Sequence, residues 1–253
     1  MTQPDQTNAF LRTSARAGSF SCGHGSARDS ERGPTLVYAG GPNLYVNLTS
    51  RCSSSCAFCL REFTWEVFGY SLWLAPEEEP DARSVIAAIQ QSRLEREPEE
   101  VVFTGIGEPT LRLDVLLDVL RWSSGQGMSS RLDTNGHGQL LNPGRQVARE
   151  LAAAGLRAAS VSLNAADSVT YQELCRPGLP GAFPAMNQFI ADLVAANVKV
   201  TATMVDVAGI DRDAVRELAR KLGAGFRVRP LISPDEPVPC WPHAERSTSG
   251  RRP

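Results

Sequence analysis

Leu44-Tyr45-Val46-Asn47-Leu48-Thr49-Ser50-Arg51-Cys52-Ser53-Ser54-Ser55-Cys56-Ala57-Phe58-Cys59 is the stretch from which the rest of the chain can be read. Its opening, Leu44–Leu48, alternates apolar and polar side chains, the period of a half-buried strand. Its close places three cysteines at spacing C-x3-C-x2-C, with Phe58 directly before the third. A strand therefore runs into a loop dense in thiols. Soft thiolates suit iron–sulfur clusters and zinc alike. A structural zinc site is normally closed by four ligands, and an electron-transfer cluster normally shows four cysteines. A count of three on one loop points to a [4Fe–4S] cluster with one iron left without a protein ligand.

Outward from this stretch, short apolar runs recur at Val101–Thr104, Ser130–Asp133, Ala159–Leu163, Val198–Met204 and Phe226–Val228. Helical patterns lie between them. Asp81 is placed to cap a helix with Val85, Ile86 and Ile89 on one face. Leu113, Leu116, Leu117 and Leu120 repeat at helical spacing in the next. Asn142-Pro143 reads as a cap and a helix-starting proline ahead of Val147 and Leu151, with Gly155 as the stop. Phe189, Ile190, Leu193 and Val194 mark a further helix, and Asp211 opens the last. Strands alternating with helices predict a parallel sheet with right-handed crossovers. Six such units fit, so the expected fold is α/β, a partial (β/α)6 TIM-like barrel. In such folds chemistry gathers at the carboxyl ends of the strands, where the cysteines fall.

At 253 residues, 42% apolar and 21% charged, the chain has the make-up of a globular protein. Its 26 basic and 28 acidic side chains leave a net charge of −2, so no global field recruits nucleic acid or membrane. No basic and apolar leader opens the sequence, and no apolar run approaches the roughly 20 residues of a membrane span. A cytoplasmic protein is expected. The domain plan is a disordered N-terminal tail at 1–33, a core at 34–240 and a disordered tail at 241–253. Cys22 and His24 form a C-x-H pair in the first tail. Cys175 and Cys240 are too scattered to build a second cluster.

Three further motifs close later strands. Gly105-Ile106-Gly107-Glu108-Pro109-Thr110 follows the second, Asp133-Thr134-Asn135-Gly136-His137-Gly138 the third, and Ser162-Leu163-Asn164-Ala165 the fourth. The first is no dinucleotide fingerprint, since Thr110 replaces the final glycine and Glu108 would oppose a pyrophosphate. Glycines there admit close approach of a ligand, and an acid suits an amine. Ser162 and Asn164 share one side of their strand. So do Arg227 and Arg229, which meet an anionic substrate if that side is interior and are solvated if it is exterior.

Together these motifs resemble the radical S-adenosylmethionine (SAM) superfamily. The fuller set, adding the F-R-V-R of Phe226–Arg229, is similar to the compact radical SAM proteins associated with TatD-type nucleases. The resemblance implies that Cys52, Cys56 and Cys59 ligate the cluster and that the open iron binds SAM. It also implies Phe58 beside the adenine, Gly105, Gly107 and Glu108 at the amino end of SAM, and Asp133, Thr134, Asn135, Ser162 and Asn164 around its carboxylate and ribose. Asp-Thr-Asn-Gly looks like the stretch of glycyl-radical activating enzymes that helps hold a monovalent cation, which makes action on a protein backbone the alternative within the class. His137 reads as a proton donor, a substrate contact or a plain turn residue. An external flavodoxin- or ferredoxin-like electron donor is implied. A zinc-stabilised binding module using Cys22 or His24, and a simple electron carrier, are the alternatives outside it.

Overall fold

The computed structural model describes residues 34–232. Both expected tails, residues 233–240 of the expected core, and Cys22, His24 and Cys240 lie outside them.

The described chain opens with β1 (Val37–Gly40) and β2 (Asn43–Asn47), an antiparallel hairpin. A two-stranded ribbon follows, β3 (Glu66–Val67) with β4 (Tyr70–Ser71). Then come α1 (Ala82–Glu95), β5 (Val101–Thr104), α2 (Leu113–Gly125), β6 (Ser130–Thr134), α3 (Gly138–Leu141), α4 (Val147–Ala153), β7 (Ala158–Ser162), α5 (Ser168–Cys175), α6 (Ala182–Ala195), β8 (Lys199–Val205), α7 (Arg212–Lys221) and β9 (Gly225–Arg229). The main sheet runs β1-β2-β5-β6-β7-β8-β9. From β2 onward all six strands are parallel and lie side by side in chain order. An order that never doubles back is that of a barrel wound in one sense, here left open between its edges. All six expected strands are present, each within two residues of its expected bounds.

Alternation along each strand divides the sheet into two faces. Val46, Phe103, Leu132, Val161 and Ala202 are wholly buried in one cluster with Val85 and Ile89 of α1, Leu116 and Leu120 of α2, Leu151 of α4, Phe189 and Leu193 of α6 and Val215 of α7. Each such side chain contributes about 1.5–3 kcal/mol by leaving water. The opposite, concave face carries Tyr45, Val102, Arg131, Asp133, Ala158, Ser160, Ser162, Thr201, Thr203, Val205, Arg227 and Arg229, and it is mostly polar away from the β1–β2 end. There Tyr38 and Tyr45 stack at 5.3 Å, with Phe68 and Tyr70 beside them. This aromatic group, with Leu72 and Ile106, forms a second small core.

Helix starts follow local chemistry. Asp81 accepts from Ser84 N, Asp167 from Val169 N and Thr170 N, and Asp211 from Asp213 N and Ala214 N. Each such cap stabilises by about 1 kcal/mol. The Asn142-Pro143 cap is corrected: α4 begins only at Val147, and Glu150 receives the Gln146 N–H. Asn142 instead donates its side-chain amide to Gly138 O and Thr110 O, so tertiary contacts outweigh the local signal.

Candidate active site

The cysteine loop leaves β2 at the carboxyl end of the sheet and is fastened on both flanks. On one side lies the loop after β5. A Cβ on Gly107 would overlap the Thr49 carbonyl oxygen and come within 2.6 Å of Arg51 O, and Glu108 N donates to Arg51 O at 2.8 Å. Gly105, at φ +131°, leaves no room for a Cβ beside Asn47 Oδ1, 2.7 Å away. These glycines are thus required by loop packing on loop, a reason distinct from ligand approach. On the other side lies the segment after α5. Ala57 N donates to Leu174 O at 2.9 Å, Ser55 N to Arg176 O at 3.2 Å and Gly178 N to Ser53 O at 2.9 Å. Arg176 holds this segment in a left-handed conformation at φ 44°, and Pro177 bridges to Ser54.

Glu108 is the knot between the β5 and β6 loops. Its carboxylate is 1% exposed. Oε1 accepts from Thr110 N, Thr110 Oγ1 and Thr134 Oγ1 at 3.0, 2.6 and 2.8 Å, and Oε2 accepts from Asn135 N at 2.7 Å. Burial pushes its pKa up, and the four donors pull against that. A buried carboxylate saturated by four donors braces the site. The carbonyls of Gly105, Ile106 and Gly107 have no hydrogen-bond partner outside regular strand pairing among the described residues.

A second polar chain runs from the thiols into the core. Asn135 Nδ2 lies 3.7 Å from Cys52 Sγ and donates to Ser53 Oγ at 2.9 Å. Ser53 Oγ meets His137 Nδ1 at 2.9 Å, and His137 Nε2 meets Tyr171 OH at 2.8 Å. His137 is fully buried, and that burial lowers its pKa to about 4. It is therefore a neutral link between two hydroxyls. Arg61 Nε donates to Cys59 Sγ at 3.3 Å and its guanidinium also reaches Ser54 O at 2.6 Å. Burial, with the Glu108 carboxylate adding to it, pushes the Cys52 thiol up to about 11, while contact with Cys175 and burial push Cys56 up. Glu79 anchors the base of the loop by pairing with Arg51 and Arg112 and accepting from Thr49.

The other expected residues divide clearly. Cys52, Cys56 and Cys59 are partly buried free thiols, and Phe58 packs against the core beside them. No three His, Cys, Asp or Glu side chains among the described residues converge as for one metal ion. A cubane takes each thiolate on a different iron and does not ask for that convergence. Thr134 gives its hydroxyl to Glu108 on the helix side of β6, whereas Asp133 pairs with Arg131 at 2.5 Å on the concave side. Strand alternation thus keeps their side-chain oxygens apart. Asn164, at φ 58° and 1% exposed, turns inward, accepting from Val205 N at 3.1 Å and donating to Cys175 Sγ at 3.5 Å. Ser162 stays half-buried on the concave face. Ser53, Arg61, Tyr171 and the Leu174–Gly178 segment were not expected. Arg176-Pro177, an X-Pro dipeptide of the kind that breaks a helix, is the local signal that this segment carries in the sequence.

The radical SAM superfamily model matches residues 46–222. GTP 3',8-cyclase of Staphylococcus aureus is 28% identical over 179 residues, covering 68% of this chain and 48% of that protein. The chain thus spans about half the length of the curated relatives it matches. Among solved structures, Streptococcus suis SuiB bound to its precursor peptide SuiA superposes with a TM-score of 0.58 at 18% identity, over 78% of this chain and 40% of that one. SuiB bound to S-adenosylmethionine gives 0.58 at 16% identity, over 75% and 40%. These likenesses concern the fold, and it is the family model, spanning the strands and loops that assemble this site, that makes the chain a member of the radical SAM superfamily.

Proposed function

We propose that the protein is a radical SAM enzyme in which Cys52, Cys56 and Cys59 hold a [4Fe–4S] cluster. The observation that carries this reading is three free thiols on one loop, fastened on both flanks, at the carboxyl end of a parallel sheet. The donor set fits the group: the thiols receive hydrogen bonds from Arg61 and Asn135, the outer support that thiolate ligands use. When bound, the cluster supplies an electron to the sulfonium of SAM, giving methionine and a 5′-deoxyadenosyl radical that takes hydrogen from a substrate.

The chain's own part is orientation and exclusion of competing reactions. With the Glu108 carboxylate saturated, the carbonyls of Gly105–Gly107 are the acceptors left for the amino group of SAM. Phe58 and the half-buried Ser162 are assigned to the adenosine side. Asn135 is assigned chiefly to the cysteine loop, and Asp133, Thr134 and Asn164 to bracing. Supply of the electron falls to an external flavodoxin- or ferredoxin-like donor, which agrees with a cytoplasmic setting. No described helix is long and apolar enough to cross a membrane. From the cyclase relatives the reaction class is carried over, and GTP is not, because about half of those proteins has no counterpart here.

The test is anaerobic reconstitution of the full chain followed by dithionite and SAM. About four irons per chain and 5′-deoxyadenosine are expected. Cys52→Ala, Cys56→Ala and Cys59→Ala each abolish both. One tightly held zinc and no iron would overturn the reading.

A further inference from the structure

The far edge of the sheet is built differently from the cysteine side. In β9, Phe226 and Val228 pack against the core, and the Arg216 guanidinium of α7 lies 5.5 Å over the Phe226 ring. That is the helix-covered face, so Arg227 and Arg229 project to the concave one. The register sets Arg227 against Thr203 and Arg229 against Val205. The interior placement left open by the sequence is therefore the one adopted. Both arginines are exposed, and neither makes an ion pair or side-chain hydrogen bond among the described residues.

Arg227 also lines a cavity of about 210 Å³ on this face, together with Arg131, Lys199, Glu100, Ser160 and Thr201. Three cations there face one carboxylate. Arg131 is already engaged by both Glu100 at 2.8 Å and Asp133 at 2.5 Å, so with Lys199 and Arg227 counted this group keeps a surplus of one positive charge, and Arg229 beside it adds another. Higher up, the Arg229 guanidinium lies close enough to Arg227, Asp133 and Cys56 to feel their charges. Arg229 thus stands within electrostatic reach of both the cavity floor and the cysteine loop. Two like charges held side by side over hydroxyls, with no ion-pair partner among the described residues, form an anion receptor.

We propose that the concave face between β6 and β9 binds the oxyanion end of the substrate, a carboxylate or a phosphate, with Arg227 and Arg229 as its principal ligands. The reacting carbon then extends from the arginines toward the cysteine loop. This last step rests on the radical SAM reading, while the anion site itself does not.

Thermal unfolding of the full chain, without iron, tests it. Pyrophosphate and malonate are the two probes, with chloride at matched ionic strength as reference. The expected result is a rise in Tm with at least one probe, about 3–6 °C at ten times its Kd. A rise with pyrophosphate alone assigns a phosphate, and one with malonate alone a carboxylate. Arg227→Gln/Arg229→Gln loses the rise, whereas Arg83→Gln, at an exposed position of α1, keeps it. No rise over chloride with either probe, or a rise unchanged in the double variant, overturns the proposal. Since the measurement needs no cluster, its failure leaves the reading of the cysteine loop standing, and failed iron uptake leaves the anion site standing.

Discussion

The two flanks of the open sheet differ in how their polar groups are spent. On the β2–β6 flank the charged and ring groups at the site are engaged: Glu108 takes four donors, His137 meets two hydroxyls, and the cysteine loop is hydrogen-bonded to the segments on either side of it, while Asn47 Oδ1 and Ser54 Oγ stay without a partner among the described residues. On the β8–β9 flank, Arg227 and Arg229 are exposed and unpaired among the described residues. A saturated network in a low-dielectric interior fixes geometry, whereas unspent charge is available to a ligand. The first flank is therefore a rigid mount and the second a receiving surface. The two should respond to substitution in opposite ways.

Glu108→Ala is the sharpest blow to the mount. It strands four donors in a site that is 1% exposed, and leaving even two of them dry costs about 2–6 kcal/mol. Urea unfolding should show a loss of at least about 3 kcal/mol, and a variant as stable as the parent would mean the knot holds nothing. His137 gives a smaller and pH-dependent effect. Its folded pKa is about 4, below the ordinary value near 6.5, so between these the unfolded chain binds the extra proton. Stability is fully present above about pH 6.5, falls through the window by up to about 3 kcal/mol, and levels off below pH 4. His137→Gln should lack that segment of the acid limb, compared in parallel denaturant titrations. Gly107→Ala comes next, at about 1–3 kcal/mol, because its methyl group has no free volume against the Thr49–Arg51 backbone. Its iron content after reconstitution should fall more steeply than its stability, since the displaced loop is the one that bears the thiols.

Much of this contrast was legible beforehand. The parallel order, the six strands and the strand-end position of every motif followed from periodicity and turn chemistry, which are local signals. What the sequence concealed was allocation. Glu108 looks like a ligand contact in any one-dimensional reading, yet Thr134 and Asn135, brought beside it by the β5–β6 pairing, consume its oxygens. His137 likewise reads equally as a proton donor, a substrate contact or a plain turn residue until Tyr171, 34 positions later, closes on its second nitrogen. Docking of Leu174–Gly178 against the cysteine loop is backbone pairing, which leaves almost no side-chain signature. Arg227 and Arg229 were ambiguous for a related reason: alternation says that they share a face, and only register and the packing of Phe226 say which.

The weakest expected effect is the one that separates the flanks most cleanly. Arg227→Gln/Arg229→Gln removes two charges that make no ion pair among the described residues, that repel each other and that favour the Asp133 carboxylate only from a distance. An exposed site with no fixed partner changes stability by no more than about 0.5 kcal/mol, and relief of the repulsion makes a small gain the more natural sign. Iron uptake and SAM cleavage in the absence of substrate should also be unchanged, because the mount lies on the other flank. A loss of stability comparable to that of Glu108→Ala would show that β9 braces the fold, and the division into mount and receiving surface would fail. A neutral or slightly stabilised variant that still makes 5′-deoxyadenosine, yet no longer transfers deuterium from a labelled anionic substrate, would assign the two tasks to the two flanks.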